Sequence, residues 1–144
     1  LLEAAPRKDA VFTIRERIYV GKTGRTKVSH VLGRITYGEL TSAAKAELPI
    51  VVETIIKADE ERFISFFNDS QPVTPRMHSL ELIPGIGKRL MWQIIDQRER
   101  QPFVSFEDLQ SRVNNITDPA KLLARRVLRE LSEDEKYLLF TRRM

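Results

Sequence analysis

Leu80-Glu81-Leu82-Ile83-Pro84-Gly85-Ile86-Gly87-Lys88-Arg89-Leu90 is the stretch on which the reading of this chain turns. Apolar residues lead into Pro-Gly-Ile-Gly, two cations follow, and a new apolar pattern of helical period begins. The spacing predicts a hairpin between a first helix over Met77–Leu82 and a second over Lys88–Arg100. Gly85 and Gly87 are free to take positive φ, and neither carries a side chain to block a close partner. Such a corner exposes backbone N–H groups at the start of the second helix, where the helix dipole is positive. The pattern therefore predicts a phosphate cradle of Gly85, Ile86, Gly87, Lys88 and Arg89, anchored from beneath by Leu82, Ile83 and Ile86. The plainer alternative is an ordinary corner in which Pro-Gly only ends a helix.

Downstream, Leu90, Met91, Ile94 and Ile95 form one face of the second helix. Trp92 lies off that stripe and is read as a packing residue. Ser105-Phe106-Glu107-Asp108 has a capping-box pattern and opens the next helix. After the turn Asn114-Asn115-Ile116-Thr117-Asp118, Pro119 sits at a first helical position behind an Asp118 cap. The helix that follows buries Leu122, Leu123, Val127, Leu128 and Leu131. Lys121, Arg125 and Arg129 recur every four residues on it as a basic stripe, with Arg126 beside them. Ser132 and Glu135 repeat the capping-box spacing and predict one more helix. The rhythm is that of a paired helix-hairpin-helix unit. Its second turn lacks both glycines and ends in an acid, so its expected role is to complete the core.

Upstream, Val11–Ile14 and Arg17–Val20 are β-rich, Gly21–Arg25 reads as a turn, and Lys27–Tyr37 returns as one or two strands. This predicts a small antiparallel sheet or partial oligonucleotide-binding-like barrel over residues 1–40, with Lys22, Arg25 and Lys27 around its loops. A solvated hairpin is the competing description. Gly21-Lys22-Thr23 resembles the tail of a P-loop but lacks the upstream glycine and the following helix. Residues 41–75 form the connecting segment. One helix starts at Thr41 or Ser42, Pro49 is placed in the first turn of the next, and Asp59-Glu60-Glu61 opens a further one. Leu48, Val51, Val52, Ile55 and Ile56 make its first apolar face. Phe63, Ile64, Phe66 and Phe67 are read as core rather than a stacking platform. Asn68–Pro75 is rich in breakers, and the helix-hairpin-helix domain is placed after it, over residues 76–144.

The expected fold class is thus α+β, a small sheet followed by an all-α domain. Charge is uneven along it. Residues 1–40 hold eight Lys/Arg against four Asp/Glu, residues 41–75 three against six, and residues 76–144 thirteen against ten. An anionic partner would meet the two basic ends. The chain has no Cys, which removes disulfides and thiolate metal sites and fits a cytoplasmic protein. No run approaches the roughly 18 apolar residues of a membrane span. His30 and His78 are the only histidines and fall in different segments, so neither a His metal site nor a catalytic triad is read. No cofactor is implied.

The chain resembles an archaeal family, domain of unknown function 655. The run Arg76-Met77-His78-Ser79-Leu80-Glu81-Leu82-Ile83-Pro84-Gly85-Ile86-Gly87-Lys88 carries the resemblance. Phe103–Asp108, Glu60–Phe63 and Phe66–Asn68 support it. The resemblance implies a barrel-like N-terminal piece, a helical domain and a nucleic-acid-binding role. The expected function is non-catalytic binding of backbone phosphates with weak sequence preference, RNA ahead of DNA. Family context and the barrel-like piece favour RNA; the hairpin motif alone favours DNA. Two alternatives stand beside it. One is a protein-interaction module using the acidic middle segment. The other is a DNA-repair enzyme of helix-hairpin-helix type, for which Lys88, Glu107 and Asp108 are the nearest candidates, although capping explains the two acids.

Overall fold

Three of the α-helices begin where a side-chain oxygen accepts one of the amides that the first turn leaves without a partner. Thr41 Oγ1 accepts from Ala44 N at 3.1 Å and starts α1 (Ser42–Ala58). Acids at the first turn of α2 (Glu60–Asp69) match its dipole. Ser105 Oγ accepts from Asp108 N at 2.9 Å and starts α4 (Phe106–Arg112). Asp118 Oδ1 accepts from Lys121 N at 3.3 Å and starts α5 (Pro119–Ser132). Only α3 (Lys88–Arg100) starts on a residue without a side chain, Gly87.

The computed structural model describes residues 1–143 and divides into two compact units. The first is Leu1–Leu48 with Arg142 and Arg143, and the second is Pro49–Thr141. The breaker-rich segment expected to separate domains, residues 68–75, lies inside the second unit.

In the first unit, β1 (Leu2–Pro6) pairs antiparallel with β2 (Val28–Arg34), with Leu2 opposite Arg34 and Pro6 opposite Val28. The small N-terminal sheet is therefore present, but Val11–Ile14 and Arg17–Val20 are not its strands. They belong to an irregular loop in which Val11, Ile14 and Tyr19 are exposed and Arg15 has φ 64°. Those side chains are exposed, so β-propensity has little packing to act through. Side chains hold the loop instead. Lys27 Nζ bonds Glu16 Oε2 at 2.6 Å and the Val11 carbonyl at 2.9 Å, and Arg25 Nε bonds the Gly21 carbonyl at 2.6 Å.

Pro49 does not start a new helix. It sits in the middle of α1, which runs unbroken through it at the cost of one backbone hydrogen bond. Leu48, Val52 and Ile56 are buried along one side of α1, while Ile55, expected on that face, is exposed.

The second unit is built from helices and one hairpin, β3 (Pro72–Thr74) against β4 (Met77–His78). The predicted first helix over Met77–Leu82 is not α-helical. Met77 and His78 extend in β4, and Ser79–Leu82 is a single 3-10 turn. The Ser79 amide and hydroxyl both donate to the Gln71 carbonyl, at 3.1 and 2.7 Å, which ties the turn to the hairpin before an α-turn can form. Phe67, Ile56, Leu80, Ile83, Ile94, Leu109 and Leu123 are fully buried and form the core. The Phe cluster belongs to it, with Phe67 edge-on to Phe106 at 6.5 Å and Phe66 edge-on to Phe140 at 5.1 Å.

Arg126, expected beside the basic stripe, is instead inside the protein at 2% exposure. Its Nε bonds Glu130 Oε2 at 2.9 Å, one η nitrogen donates to the Leu82 carbonyl at 3.3 Å, and the other donates to the Tyr137 carbonyl. Glu130 also accepts from Leu139 N, Phe140 N, Thr141 N and Thr141 Oγ1 at 2.9–3.0 Å. This explains why no helix follows Ser132. The tail amides are taken by a carboxylate, and the Ser132 hydroxyl donates back to the Leu128 carbonyl at 2.7 Å.

Removing one partner leaves the other charge buried and uncompensated. Glu130→Ala is expected to lower unfolding free energy by about 3–5 kcal/mol in urea titration. The double change Arg126→Met with Glu130→Leu is expected to cost clearly less than Glu130→Ala alone.

Candidate nucleic-acid interface

The chain reverses at Ile83-Pro84-Gly85-Ile86. Ile83 is extended (φ −78°, ψ 122°), Gly85 has φ 95°, and Ile86 N donates to the Ile83 carbonyl at 3.0 Å. This is a type II turn, with Pro preset for the first central position and Gly for the positive φ of the second. Ile83 and Ile86 are buried and hold the corner from below, whereas Gly85 and Gly87 are exposed. A Cβ on Gly85 would stand 3.2 Å from Leu122 Cδ2, so α5 also needs the glycine.

Gly87 differs. Its φ of −91° and ψ of −174° suit any residue, and a Cβ there would meet nothing within 4 Å. Positive φ is thus a property of Gly85 alone. Gly87 instead leaves the helix start bare. The first helical bond of α3 runs from Met91 N to the Gly87 carbonyl at 2.9 Å, and the amides of Lys88, Arg89 and Leu90 have no acceptor among the described residues.

Lys88 is not a free charge. Its Nζ lies 2.8 Å from Glu81 Oε1 and 3.3 Å from the Arg76 carbonyl. Glu81 Oε2 accepts from His78 N at 2.8 Å, and His78 Nδ1 accepts from Leu80 N at 3.0 Å. The hydrogen bond from the His78 amide, then that from Lys88, holds the Glu81 carboxyl below the usual carboxylate range. Burial, followed by the charge of Arg98, holds the His78 imidazole below its ordinary value. Lys88 therefore braces the 3-10 turn against α3. Arg89 is exposed and makes no ion pair among the described residues, so it is the open cation of the corner.

A second corner, between α4 and α5, shares some features of the first. Val113 and Ile116 are buried around Asn114-Asn115, and Asn115 has φ 70°. Its helix start is filled, because the Asp118 carboxylate accepts from Lys121 N. An anion is already supplied there by the chain itself.

The other cations fall into two groups. Lys121 and Arg125 are exposed one turn apart on α5, the helix whose Leu122 lies under Gly85, while Arg129 is paired with Glu135 at 3.0 Å. Lys22, Arg25 and Lys27 belong to the first unit. Lys22 is exposed there, whereas Arg25 and Lys27 are engaged in holding the loop. Asp108 is structural, accepting from Val104 N at 3.0 Å and pairing with Arg112 at 3.1 Å. No group of three or more His, Cys, Asp or Glu among the described residues is placed to hold a metal ion. No helix among them is long and apolar enough to cross a membrane.

Residues 1–142 match the family model described as protein of unknown function, DUF655. The chain belongs to the DUF655 family. A DUF655 relative from Methanocaldococcus jannaschii, named as uncharacterised protein MJ0038, is 42% identical over 144 residues. Those residues are 99% of this chain and 65% of the relative, so the chain spans just under two thirds of that protein. The crystal structure of Af1531, a DUF655 protein from Archaeoglobus fulgidus, superposes with a TM-score of 0.90 at 46% identity. The match covers 98% of this chain and 79% of that one.

The geometry separates the two glycines. Gly85→Ala is expected to cost about 1–2 kcal/mol from the left-handed φ, with further loss from the Leu122 contact. Gly87→Ala is expected to stay within about 1 kcal/mol, both read by urea titration. The depressed groups set a pH dependence. The His78 contribution is complete above its ordinary value of 6.5 and is lost as pH falls through the lower folded value. That of Glu81 is complete above 4.5 and is lost at lower pH in the same way. Stability measured from pH 8 to 3 should therefore decline in two stages. His78→Asn is expected to flatten the first and Glu81→Gln the second.

Proposed function

We propose that this protein binds nucleic acid without acting on it chemically, gripping backbone phosphates at a helix-hairpin-helix corner. The observation that carries the reading is the bare start of α3, where the amides of Lys88, Arg89 and Leu90 lack acceptors beside exposed Gly85 and Gly87. Those donors, the helix dipole and the guanidinium of Arg89 suit an oxyanion. Lys121 and Arg125 extend the cationic surface along α5, one turn apart on one face of the helix that supports the corner. Phosphate contacts position a strand and carry no base code, so sequence preference is weak. RNA is favoured over DNA, and the β1–β2 sheet is the part that a partial oligonucleotide-binding-like barrel would use. The corner itself would serve either polymer.

A second reading is a protein-interaction module. Ile50 and Ile55 are exposed apolar residues on α1 with Glu53 between them in sequence, a surface suited to a protein and not to a polyanion. Salt separates the two readings. Each phosphate neutralised lowers log K by about 0.9 per unit of log salt on B-form duplex, and by about 0.7 on single strands.

One substitution tests the corner without harming the fold. Gly87→Asp places a capping carboxylate on the free amides, as Asp118 already does for α5. It is expected to raise stability by only a few tenths of a kcal/mol and to weaken binding of RNA and DNA at least tenfold. Anisotropy titration at low salt measures the second effect, and undiminished binding would rule the corner out.

A further inference from the structure

Trp92 is the only tryptophan in the chain, and the expectation that it packs against a neighbouring segment is not met. It stands 62% exposed on α3, one turn after Lys88. It forms one wall of a groove of ≈ 160 Å³ between α3 and the β3–β4 hairpin, with Pro75, Met77 and Ile95 as apolar lining and Arg76 and the Lys88–Glu81 pair as its charged lining. Drug-sized ligands occupy roughly 300–1,000 Å³. This groove suits a single planar ring.

We propose that it holds one unpaired base of a single-stranded RNA, stacked on the Trp92 indole. An exposed indole among other apolar groups accepts any flat ring, and the exposed Arg76 beside it favours a ring that carries a phosphate. The proposal rests on the phosphate-gripping corner, because Trp92 lies only about 6 Å along the helix axis from Lys88. A phosphate on the α3 amides and the base of an adjoining nucleotide in the groove would then follow one strand. A base within a duplex is stacked on both faces and is not available to the indole. Glu81 lines the same groove. After bonding His78 N and Lys88, each of its carboxylate oxygens retains a lone pair that a ribose 2′-hydroxyl can use and a deoxyribose cannot.

Because the chain has one Trp, its fluorescence reports on the groove directly. The 144-residue chain is titrated with a uridine octamer, the matching deoxyuridine octamer and a blunt RNA duplex at low salt. Saturable quenching is expected with the RNA octamer, less with the deoxy octamer and none with the duplex. With a labelled octamer, Trp92→Ala is expected to weaken binding roughly 5- to 150-fold, with the salt slope unchanged, while Trp92→Phe retains most of the affinity. Circular dichroism of Trp92→Ala verifies the fold. Unchanged affinity in Trp92→Ala, or equal quenching by the duplex, overturns the groove while leaving the corner standing. Equal response to both octamers overturns the assignment to RNA. Absence of binding to all three overturns the groove and the corner together.

Discussion

The guanidinium of Arg126 is the constraint around which the second unit is arranged. A charge at 2% exposure is tolerated only when each donor finds an acceptor, and its acceptors come from three places: Leu82 just before the corner, Glu130 on the same helix, and Tyr137 in the tail. Satisfying one side chain therefore fixes the turn that enters Pro84-Gly85, the position of α5 and the course of residues 137–141. Leu122, one turn before Arg126, then meets Gly85 from below. The corner is held by this buried polar network, by Ile83 and Ile86, and by the Lys88–Glu81 brace, while Gly85 and Gly87 stand exposed.

The two corners of this unit share a positive-φ residue and differ in how the next helix starts. Both put a positive-φ residue between buried apolar residues, Gly85 between Ile83 and Ile86, Asn115 between Val113 and Ile116. At the second, Asp118 supplies the anion that the helix start attracts, and the site is closed from within. At the first, Gly87 supplies nothing, and the same electrostatic demand is left to solvent or to a ligand. Stability alone would favour a capping side chain at Gly87, since the backbone there admits one without strain. A glycine cap costs only a few tenths of a kcal/mol there, so the bare helix start is tolerated at little loss of stability.

The first unit follows a different economy. Its sheet has two strands, and the loop between them is held by the side chains of Arg7, Arg25 and Lys27 bonding backbone carbonyls. Cations that composition assigns to ligand binding are there doing the work of a missing ladder. Lys22 remains at the surface of that loop.

Features that depend on residues within about four positions of one another were legible in the linear chain. The Pro84-Gly85 turn, the Ser105 and Asp118 caps, the span of α3 and the closed second corner all follow from local sterics and local hydrogen bonds. The capping box at Ser132 obeyed the same local rule and still failed, because Glu130 captures the amides of Leu139, Phe140 and Thr141. What periodicity could not assign was the environment of a side chain. Arg126 and Arg125 are neighbours, yet one is buried by a carbonyl 44 residues away and the other is exposed. Trp92 and Ile55 are left open, and Lys88 is spent on Glu81, for the same reason: burial and pairing are set by which element arrives opposite, and only the folded chain brings those elements together.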